Sequence, residues 1–176
     1  LHRRIRRRDP AMRFSVADKA GPRQNRTVLV PYEREVLFGR ETERRRLRDL
    51  LLSENETLVT LTGTAGCGKT LLALQVSREI AQELCEATVF VDLTRVRSAS
   101  EVMHAICTAA GLRDRAATDA ELLVDLAEQL DDRAGLLVLD NFEHVIEAAG
   151  DLAAILSRAR GPRVLVTSRE ALRIAG

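Results

Sequence analysis

LTGTAGCGKT, residues 61–70, sets Gly63, Gly68, Lys69 and Thr70 in the pattern GxxxxGK[ST], between a β-branched apolar run and a run with helical apolar spacing. Each residue type has its own physical use. Gly63 and Gly68 carry no Cβ, so the backbone turns sharply and comes close to a phosphate. Successive N–H groups across Thr64, Ala65, Gly66 and Cys67 then form a nest for the anion. A helix opening at Lys69 points the positive end of its dipole into that nest. Lys69 brings a mobile charge to the β and γ phosphates, and the Thr70 hydroxyl suits Mg²⁺. The motif requires a strand before it and a helix after it, which commits the chain to an α/β fold. Cys67 lies inside the loop, where a small side chain pointing away from the phosphates is expected.

The flanking segments supply that context. TLVTLT (57–62) is β-branched and apolar and reads as a buried strand, and in residues 69–85 Leu72, Val76, Ile80 and Leu84 repeat along one helical face. Residues 41–53 have Leu47, Leu50 and Leu51 at helical spacing, entered through a turn at Gly39 with Thr42 as cap. Further strands are expected at 88–93, 135–141 and 162–169, and helices at 100–110, 119–131 and 143–159. Thr118 is a suitable cap for the second of these helices, Gly150 weakens the middle of the third, and EALRIAG begins another helix or turn. Strands that alternate with helices and are apolar on both faces make a parallel sheet covered on both sides. The expected architecture is a three-layer P-loop NTPase fold with four strands present.

Composition sets the outer limits. With 176 residues, 45% hydrophobic and 30% charged, the chain can bury one core, and no apolar run approaches the roughly 20 residues that cross a bilayer. LHRRIRRR is basic like the start of a signal peptide, but Asp9, Arg13, Asp18 and Lys19 stand where an apolar stretch would be needed, which argues against secretion. Cys67, Cys85 and Cys107 have no CxxC spacing, so neither a disulfide framework nor a zinc site is indicated, and a reducing cytoplasm fits. Net charge is +1, yet residues 1–30 hold nine Arg or Lys against Asp9 and Asp18. Pro10, Gly21, Pro22 and Pro31 break this stretch, and residues 1–31 read as a basic, disordered linker ahead of a domain spanning 32–176. Such an arm can bind an anionic surface, but no helix-turn-helix pattern accompanies it.

A magnesium triphosphate needs a second anionic partner, and LLVLD, ending at Asp140, supplies an acid at the end of an apolar strand. Asp140 and Thr70 are therefore the candidate metal ligands. The next residue is Asn141, which cannot accept a proton as a base, so Glu143 is the nearest acid able to polarise a water. Glu143 also reads simply as an exposed carboxylate favoured by a helix's first turn.

Four segments, VLFGRETE (36–43), the P-loop, LLVLDNFEHV (136–145) and VLVTSREALRI (164–174), together resemble the STAND class of P-loop ATPases, which is related to NB-ARC domains. The likeness is greatest to the ATPase domains of LuxR, AfsR and SARP-type bacterial transcriptional regulators. That resemblance implies that Phe38, Gly39 and Arg40 pack near the nucleotide base, that residues 63–70 bind phosphate, that Asp140 and Glu143 are the catalytic acids, and that Arg169 reads the γ-phosphate. The sheet's carboxyl edge is where open α/β folds bind ligands, so an arginine emerging there independently suits phosphate.

The resemblance further implies ATP or ADP with Mg²⁺, slow hydrolysis used as a switch, and nucleotide-dependent oligomers. It also implies a lid, a winged helix and repeats beyond residue 176, with DNA bound only through such a further domain. In the family's strand order a fifth strand pairs beside the P-loop strand, so an open edge along 57–62, prone to aggregation, is expected. The P-loop reads GTAGCGKT where this group commonly has GPGGVGKT. The guanine-reading [NT]KxD pattern is absent, which favours ATP. A turnover ATPase or kinase and a non-functional gene fragment are the alternatives.

Overall fold

A computed structural model describes residues 11–16, 26–31, 39–53, 56–84, 87–112, 116, 118–131, 135–172 and 174. Strands β3 (Leu58–Thr62), β4 (Ala87–Asp92), β5 (Gly135–Asp140) and β6 (Pro162–Ser168) form a parallel sheet in the order β3-β6-β5-β4. Helices α1 (Glu41–Leu52), α2 (Lys69–Leu84), α3 (Ala99–Ala109), α4 (Asp119–Asp131) and α5 (Ala149–Leu156) cover it. The expected α/β P-loop architecture is therefore present.

Side-chain alternation along the central strands explains the layering. In β5, Leu137 and Leu139 join the cluster that contains Val102, Ile106, Leu126 and Leu152 of α3, α4 and α5. Leu136 and Val138 point the other way, into a cluster with Leu47 and Leu51 of α1 and Leu72, Val76 and Ile80 of α2. β6 divides likewise, Val164 and Val166 going to the first cluster and Leu165 to the second. All of β5 is buried. A strand apolar on both faces makes sense only between two helical layers, and burying each such aliphatic side chain is worth about 1.5–3 kcal/mol.

β3 behaves differently. Among the described residues its sheet partner is β6 alone, its first four residues are only half-buried, and Thr62 is exposed. Among the described residues the P-loop strand thus lies at an edge, as the family resemblance implies.

Three expectations need correcting. Within the stretch read as a structureless arm, β1 (Ala11–Val16) pairs antiparallel with β2 (Arg26–Pro31), from Ala11 opposite Pro31 to Val16 opposite Arg26. The signal was present in AMRFSV, where Met12, Phe14 and Val16 alternate with smaller or charged residues, and in the β-branched run of RTVLVP; the surrounding arginines obscured it. The boundary expected at 31/32 adjoins residues 32–38, which lie outside the described set.

Thr42 is not the cap of α1. The capping position is Arg40, with no side-chain cap bond, and the chain enters through Gly39 at φ 76°. Thr118 does cap α4, its hydroxyl accepting from the Glu121 amide at 3.3 Å.

The helix expected over 143–159 is divided. Phe142–Ala148 is a 3₁₀ segment broken at Val145 (φ −141°, ψ 43°), and α5 begins only at Ala149. Gly150, suspected as the weak point, lies inside α5. Phe142, Val145 and Ala148, each three residues apart, all reach the core, the period of a 3₁₀ turn.

β5 starts at Gly135, opposite Ala87 of β4, and a Cβ built there would stand 2.4 Å from the Ala87 carbonyl oxygen. Since that oxygen is backbone, it yields little. Gly135→Ala is expected to destabilise the fold by about 1–3 kcal/mol and to lower the thermal midpoint by roughly 2–12 °C; an unchanged midpoint in thermal denaturation would contradict this account of the β4–β5 start.

Candidate nucleotide site

The loop between β3 and α2 holds its shape through glycine at three places. Gly66 and Gly68 take φ of 72° and 83°, a region that side chains disfavour. Gly63 is needed for space: a Cβ there would meet the Cys67 sulfur at 2.8 Å and the Lys69 stem at 3.7 Å. The Cys67 thiol thus lies beside Gly63.

Lys69 opens α2 and is buried. Its ammonium donates to the Gly63 carbonyl at 2.8 Å and to the Thr64 carbonyl at 2.9 Å, so the cation is held over the loop. Thr70, one residue on, donates to both carboxylate oxygens of Asp140, at 2.9 and 3.1 Å. The P-loop and the end of β5 are thereby joined, 70 residues apart in sequence.

Asp140 is buried and heavily bonded. Thr167 of β6 donates its hydroxyl at 2.5 Å, and the Asn141 side-chain amide donates at 3.0 Å. Burial pushes the Asp140 carboxyl above its ordinary value; the hydrogen bonds from Thr167 and Thr70 oppose this, while the nearby charges of Asp92 and Glu143 add to it. Thr70 and Asp140 offer only hard oxygens, and Mg²⁺ takes one or two carboxylates, waters and substrate phosphates in preference to a full protein cage. The donor set fits that ion.

Glu143 and Arg169 meet each other. The Arg169 Nε donates to Glu143 Oε1 at 2.9 Å, with the arginine side chain 58% exposed and the glutamate 12%. Among the described residues, the second oxygen of Glu143 is buried with no hydrogen-bond partner. Two candidates from separate segments are thus brought into contact at the carboxyl edge. Arg40 is not drawn into this group; its ion pair is with Glu43 of its own helix at 3.6 Å. Gly39 adjoins it, and Phe38 lies outside the described residues.

Several residues at the site were missed by sequence reasoning. Asp92 ends β4 opposite Asp140, in the last register pair of the two strands. Burial acts to raise its carboxyl, but hydrogen bonds from the Thr94 hydroxyl and amide and from Asn141, with Arg95 nearby, together hold it below the ordinary value. The Asn141 amide spans Asp92 at 3.2 Å, Thr94 at 2.9 Å and Asp140, while its backbone N–H donates to the Thr167 hydroxyl at 3.1 Å. Asn141 has φ 63°, the left-handed region that asparagine tolerates better than most residues. The signal for Asp92 was available: TVFVD and LLVLD are both apolar strands ending in an acid.

Comparison with known proteins agrees with this geometry. The AAA domain family matches residues 52–174. A candidate HTH-type transcriptional regulator of Mycobacterium tuberculosis is 37% identical over 127 residues, covering 72% of this chain and 14% of that protein. A second M. tuberculosis protein is 36% identical over 140 residues, covering 78% and 34% respectively. The chain therefore spans between about a seventh and a third of these relatives.

Among solved structures, Cdc6p from Pyrobaculum aerophilum aligns with a TM-score of 0.64 at 19% identity, over 79% of this chain and 41% of that one. The Aeropyrum pernix ORC1 protein, in complex with DNA, gives 0.62 at 25% identity, over 78% and 40%. A STAND protein with a tetratricopeptide repeat sensor from Pyrococcus horikoshii gives 0.52 at 16% identity, over 82% and 22%. The fold is the one these P-loop proteins share. Among the described residues, no helix is long and apolar enough to cross a membrane.

The raised Asp140 carboxyl has a measurable consequence. A carboxyl whose folded pKa lies above its unfolded value contributes stability at low pH and loses it as pH rises through the folded value. The thermal midpoint of the nucleotide-free protein is expected to fall as pH rises through the folded Asp140 value, and Asp140→Asn, which cannot ionise, is expected to remove that part of the pH dependence. A midpoint whose pH dependence is the same in Asp140→Asn and the wild type would refute this reading of Asp140.

Proposed function

We propose that this chain, which belongs to the AAA domain family, is the ATP- and ADP-binding module of a larger transcriptional regulator, in which slow hydrolysis serves as a conformational switch. The observation that carries the reading is the state of the P-loop. Lys69 rests on two carbonyls of its own loop, and Thr70 rests on Asp140. These are polar partners that a nucleotide's phosphates and metal can replace group for group.

In this reading the loop amides from Gly63 to Thr70 bind the β-phosphate, and Lys69 turns from the Gly63 and Thr64 carbonyls to the phosphate oxygens. Thr70 and Asp140 would hold Mg²⁺, which when bound neutralises charge on the β and γ phosphates. Gly39 and Arg40, with Phe38, face the base by family resemblance, and ATP is preferred to GTP on the same ground.

Arg169 gives the switch its sensitivity. Arg169 is 58% exposed and can exchange Glu143 for a γ-phosphate bearing more charge, at the cost of unpairing a carboxylate that is only 12% exposed. ADP lacks that group, and the Arg169–Glu143 pair then persists. The two nucleotides thus differ at one arginine, and only a differential contact of this kind can shift a conformational equilibrium. Assignment to a transcriptional regulator is supported by the 37% identical M. tuberculosis relative. DNA would be met through other parts of such a protein, and nucleotide-dependent oligomers would follow from the same switch.

Calorimetric titration of the full-length protein tests the reading. Lys69→Ala is expected to weaken ATP and ADP binding by at least about 100-fold, since two or more charge-assisted contacts of about 1.5–3 kcal/mol are lost. Asp140→Ala should remove the Mg²⁺-dependent part of the affinity and leave the rest. Equal affinities in Lys69→Ala and the wild type would end the phosphate-site assignment, and fast multiple turnover would end the switch.

Arg169→Ala should cut the preference for ATP over ADP about tenfold, the size of one charged contact. If the ratio of the two affinities does not change, Arg169 is not the sensor.

A further inference from the structure

Asn141 stands where an acid able to activate water would directly follow Asp140, and an amide cannot take a proton. Glu143, the next acid along the chain, is engaged by Arg169 and only 12% exposed. The neighbouring strand offers another carboxylate. Asp92 is the register partner of Asp140, so the two acids end adjacent parallel strands side by side at the carboxyl edge of the sheet.

The amide of Asn141 fixes how they sit. One nitrogen, Nδ2, donates to Asp140 Oδ2 at 3.0 Å and to Asp92 Oδ1 at 3.2 Å. Its backbone is pinned by the bond to Thr167, and its left-handed conformation turns the side chain back between the strand ends. Thr94 adds two bonds to the same oxygen of Asp92, from its amide at 2.9 Å and its hydroxyl at 2.5 Å.

All three donors fall on Oδ1. Among the described residues, Oδ2 of Asp92 remains open to accept, on a residue that is exposed. A continuous chain of hydrogen bonds runs from Thr70 in the P-loop through Asp140 and Asn141 to this carboxylate.

We propose that Asp92 is the residue that orients the attacking water and accepts its proton, with Asn141 as the positioning residue that carries this acid from the adjacent strand. The inference rests on the nucleotide-binding reading above. In the step, the water oxygen forms a bond to the γ-phosphorus while the bond from that phosphorus to the β,γ-bridging oxygen breaks. The electron pair leaves with ADP, and the water's proton passes to Asp92 Oδ2 and then to solvent. Glu143, released when Arg169 turns to the γ-phosphate, serves the sensing contact.

The test measures ATP affinity and single-turnover hydrolysis in the full-length protein for wild type, Asp92→Asn and Glu143→Gln. Asp92→Asn is expected to bind ATP within about threefold of wild type and to hydrolyse it at least about 100-fold more slowly, the usual contribution of a positioned base. The loss in Glu143→Gln should be at least tenfold smaller. Should Asp92→Asn fail to fold, Asp92→Glu replaces it; its carboxylate is displaced by one methylene, and at least a tenfold slower step at unchanged affinity is expected.

The proposal is overturned if Asp92→Asn hydrolyses at the wild-type rate, if Glu143→Gln suffers the larger loss, or if Asp92→Asn loses Mg²⁺-dependent affinity in place of rate. Wild-type protein that binds ATP without hydrolysing it overturns the Asp92 assignment and the hydrolytic part of the switch, and leaves nucleotide binding standing. Wild-type protein that does not bind ATP overturns the nucleotide-binding reading together with it.

Discussion

The structure depends on one buried carboxylate. Asp140 receives hydrogen bonds from the P-loop at Thr70, from the neighbouring strand at Thr167 and from the next residue, Asn141. Burying a charged group is costly unless it is paired or bonded, and among the described residues Asp140 meets that demand with hydroxyls and an amide and no cation. The arrangement leaves the carboxyl less willing to ionise than an ordinary aspartate, with burial as the leading cause. In the proposed reading a divalent ion held by Thr70 and Asp140 would supply the missing positive charge, so the residue that ties the P-loop to the sheet would also be a metal ligand.

Around that hub the sheet is asymmetric. The central strands β5 and β6 are sealed between two helical layers, whereas β3, which leads into the P-loop, is half-exposed at an edge. Local stability follows buried apolar contact, so the loop proposed to meet phosphate follows the less protected strand, while Asp140 ends a strand that is buried throughout.

Much of this was legible in the sequence because the signals were local and strong. The alternation of apolar strands with helical stripes located all four parallel strands within about a residue, and GTAGCGKT with LLVLD identified the two elements that meet at Thr70 and Asp140. The remainder depended on relations that a linear pattern does not encode. Nothing in the string pairs Arg169 with Glu143; that contact arises because β5 and β6 are neighbours and both end at the same edge. The 3₁₀ segment after Asn141 was hidden because its apolar residues also fit a helix. Asp92 was overlooked although its strand ends as Asp140's does, because the register between β4 and β5 becomes visible only in three dimensions.

The left-handed turn at Asn141 has an evolutionary corollary. Among side chains other than glycine, asparagine and aspartate are favoured at positive φ, while longer side chains such as glutamate are penalised there. A glutamate directly after Asp140 would have to work against the main chain before it could do any chemistry. Placing a glutamate directly after Asp140 by a single replacement is therefore obstructed by a backbone dihedral, and a lineage that acquired one would first have to rebuild the end of β5.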